Sequence, residues 1–264
     1  MDRYQLEGDS LRVDVADGIA TLTMNRPAQM NCLSRQLRNN LLAALREVSD
    51  DSGVDVIILT GAGNKAFSAG ADLKELEQAP LQPEEMGVDC PVMRAFESLQ
   101  KPIIAAINGY TVAGGFELAV NCDILVASTN ARFADTHCRV GIVPAWGLTQ
   151  YLTMLIGPVR ARYLSFTGNY LEAAIAKEWG LVLDVVAPEQ LLPYCRKLAQ
   201  DIISCDRWTI RNVRSAMRVG LQQSIHQGLL VEADFAKESV RRFDASAFGA
   251  KRKAVMNRGK RQIA

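Results

Sequence analysis

Residues 101–128 read KPIIAAINGYTVAGGFELAVNCDILVAS, and this stretch decides the fold. Ile103 to Ile107 is a short unbroken apolar run, the character of a buried parallel strand. Small residues and glycines follow up to Gly115. GGFELAVNC then reads as a short helix and DILVAS as a second buried strand. A strand, a glycine-rich turn, a helix and another strand form the repeating unit of an α/β protein. Between Gly109 and Cys122 the sole charged residue is Glu117, two positions after a Gly-Gly pair.

The same grammar extends outward. Upstream, VDVIILTG (Val54–Gly61) is another buried strand. ADLKELEQ (Ala71–Gln78) opens a helix on Asp72, with Glu75 three residues on in a capping-box spacing. SRQLRNNLLAALREVSDD places Leu37, Leu41, Leu45 and Val48 on one helical face behind Ser34, a natural N-cap. LRVDVADGIATLTM folds about Asp17-Gly18 as a hairpin. Downstream, Trp146 to Ile156 reads as a helix and GLVLDVVAP (Gly180–Pro188) as a last strand. LLPYCRKLAQDII, RWTIRNVRSAMRVG, SIHQGLLVEADFAKESVRRF and SAFGAKRKAVMNR, all after Pro188, read as helices. The expected organisation is an α/β core over residues 1–187 and a helical region over 188–264.

Composition excludes several classes of function. Among 264 residues, 30 Lys and Arg balance 29 Asp and Glu, so no global field draws the chain to nucleic acid or an anionic membrane. Arg207, Arg211, Arg214 and Arg218 share one helix; an RNA-binding face is the rival reading to a solvated one. Ile103 to Val120, the longest weakly polar stretch, is interrupted by Asn108, glycines and Glu117, so no membrane span is expected. The polar start MDRYQLEGDS does not read as a signal or transit peptide. The six cysteines show no CxxC spacing, as for reduced thiols in a cytoplasmic compartment. With only two histidines, that argues against a structural metal.

Chemistry concentrates at two strand-to-helix junctions, FSAGAD (Phe67–Asp72) and VAGGFE (Val112–Glu117). A helix start carries unpaired N–H groups and partial positive charge, and glycine lets a ligand approach them. Two such N–H groups aimed at one point would hold the oxygen of a thioester enolate. Neither junction has the spacing of a phosphate-binding glycine loop. Taken singly, each also fits close helix–sheet packing. Glu117 is placed where the helix dipole favours its anion while apolar neighbours oppose it, the setting of a proton-transfer group; a plain helix cap is the alternative.

Taken in order, the motifs resemble the enoyl-CoA hydratase/isomerase (crotonase) family. ATLTMNRPAQMNCLS, DVIILTGAGNKAFSAGADLKEL, KPIIAAINGYTVAGGFELAVNCDILVAS, ARFADTHCRVGIVPAWGLTQYL, KEWGLVLDVVAP and AFGAKRK each match a family segment, nearly end to end. The resemblance implies an α/β crotonase-like spiral of ββα turns, with a C-terminal α-helical region that packs between subunits of a trimer or a dimer of trimers and completes the coenzyme A site. It implies an acyl-CoA thioester substrate, with coenzyme A as part of that substrate and no separate cofactor. By position, the N–H groups of Ala71 and Gly114 supply the oxyanion hole. Ala28, Ala69, Gly70, Asp72, Leu73 and Lys251 lie along the coenzyme A site. Glu117 matches the first hydratase glutamate.

Two departures qualify the match. His137 stands where the second hydratase glutamate falls, so an imidazole is expected to partner Glu117 in delivering water to C3 and a proton to C2. Trp146 occupies a position of small residues and is expected to fill space near the acyl end, favouring short acyl chains. Ala145, which cannot ionise, sits where dienoyl isomerases and dehalogenating relatives carry an acid. The implied activity is 2-enoyl-CoA hydration. A Δ3,Δ2-enoyl-CoA isomerase with Glu117 as single base, or a catalytically weak acyl-CoA-binding protein, are the alternatives. The second histidine, His226, reads as structural.

Overall fold

Asp17 and Gly18 both adopt positive φ, +53° and +77°, as a two-residue hairpin turn requires. They join β1 (Leu11–Ala16) to β2 (Ile19–Met24) in antiparallel register from Leu11↔Met24 to Ala16↔Ile19. This is a computed structural model, and it describes residues 4, 6–79, 82, 85, 87, 89–222, 233–235 and 237–238. The chain divides into two compact units, Met1–Arg207 and Trp208–Ala264.

In the first unit α1 (Arg35–Asp50) follows Ser34, whose hydroxyl accepts from the Leu37 N–H at 3.2 Å. Leu37, Leu41, Leu45 and Val48 are buried along one face, as their spacing predicts. Next come β3 (Val56–Gly61), β4 (Ala66–Ser68), α2 (Leu73–Gln78), α3 (Pro91–Ser98), β5 (Ile103–Ile107), β6 (Tyr110–Val112) and α4 (Gly114–Val120). The chain continues through β7 (Ile124–Ser128), β8 (Arg132–Ala134), α5 (His137–Val140), α6 (Leu148–Ile156), α7 (Pro158–Thr167), β9 (Leu171–Glu172), α8 (Ala173–Glu178), β10 (Asp184–Val186) and α9 (Leu191–Ile203). Beginning at the last residue of the first unit and continuing in the second, α10 (Arg207–Gln222) carries the arginine-bearing helical pattern.

Among the described residues the strands form two sheets. The larger runs β1-β2-β3-β5-β7-β10, and all its pairs after the first are parallel. The smaller runs β4-β6-β8-β9. Each turn of chain places one strand in each sheet (β3 then β4, β5 then β6, β7 then β8), and helices follow. This is the ββα spiral that the resemblance implies.

The continuous apolar runs of β3 and β5 follow from burial on both faces. Ile57, Leu59, Ile103, Ala105 and Ile107 point into the main core. Alternate residues Val56, Ile58, Ile104 and Ala106 meet Leu191, Cys195 and Ala199 of α9 on the opposite side. Helix α9 therefore packs on the sheet, although it follows the limit expected at residue 187.

Two boundaries differ from expectation. The helix expected from Trp146 begins at Leu148, behind Gly147 at φ +92°. The backbone of Trp146 turns inward instead, for a reason the site makes plain. The strand expected over Gly180–Pro188 is confined to Asp184–Val186.

Candidate active site

Two asparagines shape the loop between β3 and β4. The Asn31 amide donates to Ala62 O and Ala66 O at 3.1 and 2.7 Å, and its carbonyl accepts from Arg26 N–H at 2.9 Å. Asn108, just past β5, donates to Gly63 O and Ala66 O at 2.7 and 3.0 Å and accepts from Gly61 N–H at 3.2 Å. These bonds replace the strand ladder that the loop lacks. Arg26 reaches the first junction from the side, donating to Cys32 O at 2.7 Å and pairing with Asp72 at 2.8 Å. The Arg26 hydrogen bond holds the Asp72 carboxyl below its usual range.

The two junctions lie against each other. A Cβ on Gly70, which has φ +88°, would fall 2.9 Å from Val112 O and 3.3 Å from Gly114 N, so only glycine fits there. The Cβ position of Gly114 lies 3.9 Å from Ala71 N. The backbone nitrogens of Ala71 and Gly114 thus border one small space, and neither N–H has an acceptor among the described residues. Ala69 N–H is used, donating to Met30 O at 3.0 Å. That bond brings the exposed turn holding Ala28 beside residues 69–73. Leu73 lies 57% exposed on the same stretch. Lys251 and His226 lie outside the described residues.

Glu117 is buried in the first turn of α4, with its Oε1 bound by two backbone donors, Ala145 N–H at 2.9 Å and Trp146 N–H at 2.6 Å. These bonds turn the Trp146 backbone toward Glu117, and Gly147 at φ +92° starts α6 behind it. Asn121, one turn along α4, donates to Trp146 O at 2.8 Å and fixes that peptide. The Trp146 indole donates to Glu85 O at 3.3 Å, so this residue enters the site through its backbone as well as its bulk. Burial pushes the Glu117 carboxyl above its usual range, more than the Trp146 and Ala145 N–H bonds and His137 pull it down. Its dipole position is outweighed.

Oε2 of Glu117, the oxygen left over, lies 3.6 Å from His137 Nε2. The sequence-predicted pair is therefore brought together across the junction. The other ring nitrogen, Nδ1, lies 2.7 Å from Oδ1 of Asp135, a wholly buried carboxylate. The same Oδ1 accepts the His137 backbone N–H at 3.2 Å. Burial pushes the Asp135 carboxyl up, but the His137 hydrogen bonds, with the Ser165 hydroxyl nearby, outweigh it and hold the group below its usual range. Asp135, Asn121 and the paired N–H groups of Ala145 and Trp146 are absent from the sequence reading. Only the D-x-H spacing hinted at Asp135. No group of three or more His, Cys, Asp or Glu able to hold a metal occurs among the described residues.

The arrangement offers two adjacent N–H donors for an oxyanion and two proton-carrying groups facing each other. Comparison with known proteins is consistent with that. Residues 14–257 match the family model of enoyl-CoA hydratase/isomerase. The chain is 36% identical over 253 residues to a crotonyl-CoA hydratase of Syntrophomonas wolfei, covering 93% of this chain and 97% of that one. It is 37% identical over 218 residues to a short-chain-enoyl-CoA hydratase of Clostridium acetobutylicum, covering 82% and 84%. A crystal structure of enoyl-CoA hydratase from Bacillus anthracis superposes with a TM-score of 0.83 at 36% identity, covering 92% and 96%.

Proposed function

The chain belongs to the enoyl-CoA hydratase/isomerase family, and from that premise we propose that it adds water across the C2=C3 bond of a short-chain 2-enoyl-CoA thioester. It is an enzyme of the hydro-lyase type. The observation that carries the reading is the pair formed by Glu117 and His137, 3.6 Å apart beside the two open N–H groups. The N–H groups of Ala71 and Gly114 take the thioester oxygen and stabilise the enolate that forms as oxygen adds to C3. Glu117 and His137 share the two remaining tasks, removing a proton from water and supplying one to C2. Shuttling a proton between C2 and C4 needs one base; a facing second group favours hydration over isomerisation. Ala28, Ala69, Gly70, Asp72 and Leu73 border the coenzyme A moiety, and Lys251 is assigned to its phosphates. The proposed chemistry uses these groups alone and calls for no separate cofactor.

The buried Trp146 supports a short acyl group, since it fills volume beside Glu117. A homo-oligomer, a trimer or dimer of trimers, accounts for apolar side chains exposed on neighbouring elements, with Val159 at 76% and Phe166 at 74% on α7. Six unpaired cysteines suit a reducing compartment such as the cytoplasm. Among the described residues no helix is long and apolar enough to cross a membrane.

Loss of the conjugated-enoyl absorbance of crotonyl-CoA tests the reading. Wild type is expected to turn over, and Glu117→Gln to lose about 10²–10⁴-fold in kcat. Coenzyme A ester binding without turnover in wild type would rule hydration out and leave a weak acyl-CoA-binding protein.

A further inference from the structure

The site as described leaves one question of direction: which member of the pair takes a proton from water and which gives one to C2. The surroundings of His137 answer it. Asp135 is immobilised by its own chain, because the His137 backbone N–H two residues on bonds its Oδ1 at 3.2 Å, an Asx-type turn. That oxygen lies 2.7 Å from the His137 Nδ1. An ionised carboxylate only accepts hydrogen bonds, so Nδ1 must carry the hydrogen. In a neutral imidazole the lone pair then sits on Nε2, the nitrogen that faces Glu117 at 3.6 Å.

We propose that Asp135 is a positioning residue that holds His137 in its Nδ1–H tautomer, so that Nε2 takes the proton of the attacking water and Glu117 supplies the proton to C2. The reaction step rests on the hydratase reading; the tautomer does not. As the water O–H bond breaks, its proton moves to Nε2 and its oxygen bonds C3. The C2=C3 π pair becomes the C1=C2 bond of the enolate, and the carbonyl π pair moves onto the thioester oxygen. The enolate collapses as C2 takes the proton of the Glu117 carboxylic acid. An imidazolium and a carboxylate then face each other across the Nε2 to Oε2 gap, and one proton transfer restores both. Burial raises the affinity of the Glu117 carboxyl for a proton. The two backbone donors on Oε1 leave Oε2 as the oxygen that carries the proton.

The chain has two histidines, so a His226→Gln variant leaves one imidazole to observe. Nitrogen-15 NMR of its ring is expected to report the Nδ1–H tautomer; the Nε2–H tautomer would overturn the proposal. Asp135→Asn, compared with wild type on crotonyl-CoA, is expected to lower kcat by about 10²–10⁴-fold and shift the ring signal toward Nε2–H. KM should change by less than about threefold, the mark of a group that acts in the transition state. A folded Asp135→Asn protein with kcat within threefold of wild type would also overturn it. Should that variant not fold, the ring spectrum of the His226→Gln protein decides. A wild type that binds but does not hydrate crotonyl-CoA fails the hydratase reading and the proton roles built on it; the spectrum still decides the tautomer.

Discussion

Glu117 shows how one residue's chemistry is divided between sequence and fold. Its isolation among small and apolar residues marked it as a proton-transfer candidate, and its place in a first helical turn suggested a dipole-favoured anion. Burial wins instead and raises its affinity for a proton. The consequence for stability follows in sign. A carboxyl whose folded value lies above its ordinary 4.5 binds protons more readily folded than unfolded. Wild type therefore loses stability as pH rises from that value through the folded one, and the cost persists at higher pH. Glu117→Gln removes the ionisation but keeps an oxygen for the Ala145 and Trp146 N–H groups. Urea unfolding at pH 4.5 and pH 8 is expected to show the variant gaining on wild type as pH rises, even as activity is lost. Parallel stabilities at the two pH values would contradict this.

At the scale of elements, the junctions are where local rules and tertiary demands part. Asp72 does cap α2, accepting the Glu75 N–H at 3.4 Å. The Glu75 carboxylate does not complete the expected capping box. It accepts the Arg35 N–H at 2.9 Å instead, closing the N-terminus of α1 from another segment. Ala113 carries the larger cost. It holds φ +47° and ψ −119°, a region poor for any residue with a Cβ. The fold imposes it because the Ala113 carbonyl must accept from Phe116 N–H and Glu117 N–H, at 2.8 and 3.0 Å, to start α4 at the site. Ala113→Gly relieves strain of roughly 1–3 kcal/mol and loses about 0.4–1 kcal/mol to added freedom in the unfolded chain. A net gain of about 1 kcal/mol should raise the melting temperature by about 2–4 °C. A lower melting temperature would show that the strain is absent.

For the molecule as a whole, the spiral leaves apolar groups in the water. Val159 and Phe166 lie exposed on α7, and the proposed homo-oligomer gives them a second copy to pack against. Val159→Glu with Phe166→Glu is expected to reduce the mass measured by light scattering to that of a monomer; an unchanged assembly would place the subunit contact elsewhere. The order of the larger sheet's strands and of α1, α2, α4, α6, α9 and α10 was legible in the sequence, since a strand buried on both faces must be apolar throughout and a helix on a sheet must be apolar on one side. The two- and three-residue strands of the smaller sheet, too short to show a period, were not, nor were α3, α5, α7 and α8. Those patterns follow from near-neighbour geometry, and with them came the two junctions and Glu117; His137 came from the family resemblance. The 3.6 Å between that pair, the Asp135 carboxylate behind the ring and the two N–H groups that hold Glu117 were not legible. Asp135 stands two residues from the ring it holds, but the other groups join residues from separate turns of the spiral. Such partners are chosen by which segments the packed sheets bring within reach of a buried polar atom, and no local spacing encodes that choice.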